Sequence, residues 1–198
     1  MAAIQNGYNL CYVSKSFRDD RDIVMTAVQR NGSDALFYAS RSLKNDRDIV
    51  MAAVQNGPKN YLCIPSKLFR DDREIVLAAV KQNAKAFGYA SESLRKDREI
   101  VMAAVQNGYN LRYITISRKA FRNDKEIVMA AVKQNRYSLD YASKSLRNDR
   151  EIVTAAIHHH GSNVLKHHVS PESLKYDREI IMAAVQKDGD RKIIRTKQ

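Results

Sequence analysis

The chain has little of what several function classes require. Two cysteines in 198 residues, Cys11 and Cys63, are too few for a disulfide scaffold, and we read them as buried thiols in a reducing intracellular compartment, the cytoplasm before others. Long hydrophobic runs are missing: stretches such as Ile49 to Val54 fall far short of the roughly 18 apolar residues of a membrane span. The first residues do not read as a signal peptide. No Gly-rich phosphate loop, nucleophile elbow or His-Glu-x-x-His pair occurs, so we expect no enzyme, no cofactor and no small-molecule substrate. Nucleic-acid motifs of the ribonucleoprotein, zinc-finger and basic-zipper kinds are absent too. Tryptophan is absent, and acidic side chains are scarce, 22 against 34 basic, for a formal charge of +12. The hydrophobic share of 44% is too high for a disordered chain. A soluble, basic, folded protein is what these absences leave.

What the chain does have is repetition, the first thing to settle in any fold argument. The pattern Asp-basic-acidic-Ile-Val/Ile begins at Asp20, Asp46, Asp72, Asp97, Asp124, Asp149 and Asp177, at intervals of 25 to 28 residues. Three residues before each Asp, Phe17, Leu43, Phe69, Leu94, Phe121 and Leu146 alternate, and Leu174 breaks the alternation. Tyr-Ala-Ser recurs in alternate units, starting at Tyr38, Tyr89 and Tyr141. A duplicated two-unit block of 52 residues accounts for both periods. The interval predicts one three-turn helix and one short helix or turn per unit, so the expected fold is all-α, an α-solenoid of tandem helix-turn-short-helix repeats. We expect a single repeat domain over 1–198, with a partial unit at 1–19, repeat units at 20–186 and a basic tail at 187–198. Met1 to Gly7 align with Met51 to Gly57, inside a repeat helix, so a piece of a longer solenoid is expected, with a genuine start that fell in the Met slot as the alternative.

Local chemistry supports each long helix. Asn45, Asp71, Asn123 and Asn148 each stand three residues ahead of a carboxylate, which predicts capping boxes. Asn31-Gly32, Asn56-Gly57 and Asn107-Gly108 are expected to end helices with a left-handed glycine, while Ala84 and Arg136 stand where that Gly is missing. Ile and Val supply the buried stripe, and pairs such as Ala52-Ala53 let neighbouring helices approach. Ser170-Pro171-Glu172 is the clearest start for a short element. Cys11 and Cys63 share a slot two units apart, roughly 20 Å at ordinary helix spacings, so no disulfide is expected.

These units resemble the repeats of the domain-of-unknown-function family 4116, most clearly over Leu94-Arg95-Lys96-Asp97-Arg98-Glu99-Ile100-Val101-Met102-Ala103-Ala104-Val105-Gln106-Asn107-Gly108. The resemblance extends over nearly the whole chain. It implies an all-α repeat architecture and brings no catalytic residues with it.

Charge is unevenly placed. The five-residue blocks centred on the seven Asp hold 15 basic and 16 acidic residues, so the whole positive excess lies elsewhere. Its candidate binding positions are Arg30, Lys59, Lys81, Lys85, Arg112, Arg118, Lys119, Lys133 and Arg136. Within the blocks a basic residue stands two before each Asp (Arg18, Lys44, Arg70, Arg95, Arg122, Arg147, Lys175) and another one after it, from Arg21 to Arg178. A cation in the first turn opposes the helix dipole, so a compensating contact is required. A ladder of ion pairs within or between units is the expectation, with an anion-binding row as the alternative.

The tyrosines beside basic residues, such as Tyr109 and Tyr113 around Arg112, read as packing between repeats; stacking against single-stranded nucleic acid is the alternative. All five histidines fall between His158 and His168, where they match no ligand spacing. We read them as drift at an exposed helix end and expect no metal. The role expected is a non-catalytic scaffold that docks another macromolecule, a protein first, through an extended basic surface. RNA or single-stranded nucleic acid is the alternative partner, and the targeting arm of a larger protein the alternative role.

Overall fold

The computed structural model describes residues 10–57, 67–117, 119–167 and 177–196. Among these all regular structure is helical, with no strand, and no helix is long and apolar enough to cross a membrane. The chain divides into two compact units, Met1–Asn107 and Gly108–Gln198. The first contains α1 (Lys15–Arg18), α2 (Arg21–Tyr38), α3 (Arg47–Asn56), α4 (Arg73–Gln82) and α5 (Arg98–Gln106), joined by short 3-10 segments. The second contains α6 (Leu111–Ser117), α7 (Lys125–Gln134), α8 (Lys144–Arg147), α9 (Arg150–His160), α10 (Asn163–His167) and α11 (Arg178–Thr196). The segment expected as a tail from Lys187 is therefore helical through Thr196.

Each unit stacks its long helices in chain order: α2 on α3, α3 on α4 and α4 on α5 in the first, α7 on α9 and α9 on α11 in the second. The reason is a double stripe. In α4, Ile75, Val76, Ala79 and Val80 are buried, and Ile127, Val128, Ala131 and Val132 repeat this in α7. Ile75 and Val76 lie about 100° apart round the helix, and Ala79 and Val80 continue the two rows one turn on, so the buried face is wide enough to meet the neighbours before and after it and the core exists only in the stack. The second elements are the short ones expected, among them the 3-10 segments Ala84–Tyr89 and Arg136–Tyr141.

The helix starts lie one residue later than the capping-box pattern places them. The caps are the Asp residues themselves: Asp46 Oδ1 accepts from the backbone N–H of Asp48 and Ile49, and Asp72, Asp97, Asp149 and Asp177 repeat the pair. Asp124 accepts from Ile127 N–H. Asn45 instead closes a 3-10 turn, and Asn148 is the C-cap of α8. Asp71 and Asn123 hold the following unit. Asp71 Oδ1 accepts from Ser91 Oγ at 2.5 Å and Ser93 Oγ at 2.7 Å; Asn123 Oδ1 does the same for Ser143 and Ser145 at 2.9 and 3.1 Å. The 52-residue period thus has a physical basis, since the residue before the cap in a Phe unit clamps the Tyr-Ala-Ser-x-Ser turn of the next.

Helix ends differ from expectation as well. Gly108 is left-handed, with φ +85°, but Gly57 is extended, at φ −73° and ψ 154°. Gly32 is needed for close approach as well as for its φ of +52°: a Cβ on it would lie 2.1 Å from Gly57 Cα. Where Ala84 and Arg136 replace the glycine, Asn83 and Asn135 solve the problem in extended backbone. Each donates its N–H to the helix behind it and accepts with its side chain from the 3-10 segment ahead, from Lys85 N–H and Tyr137 N–H. Cys11 is a half-buried free thiol. Cys63, Met1 to Gly7 and Ser170-Pro171-Glu172 lie outside the described residues.

Candidate functional site

Five of the cations that follow a capping Asp, Arg21, Arg47, Arg73, Lys125 and Arg150, reach forward one unit. Arg21 Nε lies 2.9 Å from Asp46 Oδ2 and its Nη2 2.9 Å from Asp48. Arg47 meets Asp72 and Glu74 at 2.7 and 2.5 Å, and Arg73 meets Asp97 and Glu99 at 2.8 and 2.5 Å. In the second unit Lys125 joins Asp149 and Glu151, and Arg150 joins Asp177 and Glu179. This is the expected ladder of ion pairs, and it removes the dipole objection because each cation neutralises two carboxylates at the next helix start. The hydrogen bond from Arg47 holds the Asp72 carboxyl below its ordinary value against the opposing effect of burial.

Among the described residues, the cations two before each Asp make none of the ion pairs above; Lys175 lies outside the described residues. Arg18 donates to the carbonyls of Val13 and Cys11. Arg70, Arg95 and Arg147 bury an Nε that has no hydrogen-bond partner, and the Arg70 guanidinium lies over the Tyr89 ring, 5.9 Å from its centroid. They serve as packing stems with a charged tip.

The candidate surface gathers at equivalent junctions within the separate units. In the first, exposed Lys81 and Lys85 flank Asn83, and Arg30 lies exposed in α2. In the second, exposed Lys133 and half-buried Arg136 flank Asn135. The Arg136 guanidinium sits over Tyr137, 4.8 Å from the ring centroid. The helix that carries exposed Arg112 packs against the 3-10 segment opening at Arg136, and Lys119 starts a 3-10 segment on the same helix. Lys59 and Arg118 lie outside the described residues. These tyrosines depart from their expected packing role, because Tyr89, Tyr113 and Tyr137 are exposed at 46, 55 and 48%; Tyr89 and Tyr137 stand in 3-10 segments and Tyr113 in α6.

One feature was not anticipated from sequence. A groove of about 710 Å³ runs along α9 between α7 and α11, lined among others by Met129, Lys133, Thr154, Ala155, His158 and His159. Its sequence signal is a single slot. Five residues after the capping Asp the other six long helices carry Met or Leu, whereas α9 carries Thr154. His160 is not in the groove, since its Nε2 lies 2.8 Å from the Val132 carbonyl at the end of α7. Among the described residues no group of three or more His, Cys, Asp or Glu is placed to hold a metal, and His168 lies outside them.

The repeat that builds these junctions matches a known family at residues 1–41, 31–70, 72–117, 107–147, 124–167 and 149–195, under the description "Domain of unknown function (DUF4116)". The chain belongs to the DUF4116 family. Six overlapping matches along one chain are those of a tandem array, in agreement with the stacked helices. No curated protein and no solved structure matches the chain. Within this DUF4116 chain the ladder residues recur from unit to unit, whereas the junction cations and Thr154 occur in individual units.

Proposed function

We propose that this DUF4116 array is a non-catalytic docking module, working in a reducing compartment, whose basic junctions bind a partner protein with an acidic surface. One observation carries the reading: the ladder consumes the cations at the helix starts, while Lys81, Lys85, Lys133 and Lys119 project into solvent outside it. Repeat arrays commonly use such extended surfaces for macromolecular partners. The paired carboxylates at the described helix starts serve as caps and, at Asp46, Asp72, Asp97, Asp149 and Asp177, as bridges, a structural duty that supports the non-catalytic reading.

The test is crosslinking in native extract with the wild type and the charge-reversed variants K81E/K85E and K133E/K119E. A defined protein lost in a reversed variant supports the reading; recovery of only ribosomes and bulk anions, or a partner indifferent to both variants, overturns it. A second reading, single-stranded RNA, is favoured by the exposed tyrosines beside these cations, notably Arg136 over Tyr137. Fluorescence anisotropy with mixed-sequence RNA separates the two, because phosphate engagement gives a steep salt slope.

A further inference from the structure

The groove along α9 is built by a substitution within the repeat. Where six of the seven long helices place a Met or Leu side chain, Thr154 leaves space over Ala155, bounded on the α7 side by Met129. A volume near 710 Å³ falls in the range of about 300 to 1,000 Å³ in which pockets hold small or peptidic ligands. Its two ends differ in charge. At one end Arg150 is bound by Glu179 at 2.5 Å and Glu151 by Lys125 at 2.8 Å, so these charges are already balanced. At the other stand Lys133, His158 and His159. Burial, followed by the positive fields of His158, His160, Lys133 and Lys187, holds the His159 ring below its ordinary pKa.

We propose that this groove docks an acidic, extended peptide segment of a partner protein, with an apolar side chain over Thr154 and a carboxylate two residues away at Lys133 and His158. The inference rests on the protein-docking reading above and names the chemistry of one of its contacts. Spacing supports it: Thr154 and His158 are one helical turn apart, about 6 Å, and same-side residues of an extended peptide are about 7 Å apart. A nucleic-acid strand suits the groove poorly. At the far end Arg150 and Lys125 are already taken by Glu179 and Glu151, so continuous phosphates would find cations at one end only, whereas a peptide places one carboxylate there.

The test uses the full chain and the fluorescein-labelled hexapeptide Ser-Leu-Ser-Glu-Ser-Gly, which sets Leu and Glu two residues apart on one side of an extended backbone, read by anisotropy at near-physiological salt. Binding by the wild type should weaken at least tenfold in T154M, which restores the side chain of the other helices and keeps the helical circular dichroism. A several-fold loss is expected in K133Q/H158Q, and none in K81E/K85E. Failure of the wild type to bind, or equal binding by T154M, overturns the groove proposal. The wider docking reading then stands or falls separately on the crosslinking result with K81E/K85E. Displacement of the peptide by a uridine oligonucleotide that is itself sensitive to T154M overturns the choice of partner class.

Discussion

Asp72 serves two structures at once: its Oδ1 caps α4 through the N–H groups of Glu74 and Ile75, and its Oδ2 accepts from Arg47 of the preceding unit at 2.7 Å. A single carboxylate therefore couples helix initiation to stacking, and the same coupling recurs at Asp46, Asp97 and Asp149.

Removing either half separates the two duties. Asp72→Ala should cost about 1 kcal/mol through loss of the cap, plus the loss of its exposed bridge. Arg47→Ala should cost less than Asp72→Ala, because the bridge lies on the surface and Asp72 still caps α4. Urea denaturation of both variants and the double variant checks this, with the double close to Asp72→Ala alone.

Acid should unfold the array. Asp72 and Asp177 are lowered chiefly by the hydrogen bonds from Arg47 and Arg150, Asp71 by Ser91 and Ser93, and Asp19 by Ser40 and Ser42. A depressed carboxyl contributes stability that is present above its unfolded pKa, about 3.9, and lost as pH falls through the folded value. Helical circular dichroism should hold from pH 7 to about pH 4 and fall below that. Full ellipticity retained at pH 2 would contradict it.

Glycine is required at Gly32 for two reasons and at Gly108 for one. Gly108→Ala meets nothing within 4 Å and bears only the positive φ, a cost of about 1 to 2 kcal/mol. Gly32→Ala adds a collision with Gly57 Cα at 2.1 Å, so it should lower the melting temperature clearly more than Gly108→Ala. Equal shifts would show that the two backbones separate freely.

Burial should grade the Val slot eight residues after the capping Asp. Val132 in α7 has no exposure and Val185 in α11 is 62% exposed. Val132→Ala should cost about 1.5 to 2.5 kcal/mol as transfer and cavity terms add, and Val185→Ala about 0.5 or less. Thermal melts of the two variants decide.

Much of this was legible in the residues. The recurrence of Asp-basic-acidic-Ile-Val located the long helices, and the paired apolar positions identified the sandwiched faces, because both depend on local periodicity and burial. The junction cations Lys81, Lys85, Lys133 and Arg136 were legible for a similar reason: they lie outside a block whose charges balance. Cap identity was not, since Asn45 and Asp46 are both good caps and only the backbone turn decides which one precedes the first helical residue. Tyr137 as an outward ring and Thr154 as the floor of a groove were also beyond a one-dimensional reading.

The amino-acid sequence by itself determined an all-α tandem array, the position of its long helices and the separation of balanced from unbalanced charge, since all three follow from spacing along one chain. Tertiary structure alone decided which carboxylate each cation reaches, that Asp71 and Asn123 clamp the next unit, and that Thr154 opens a groove. Each of those depends on atoms some 20 to 30 residues away in sequence, and stacking brings them within reach.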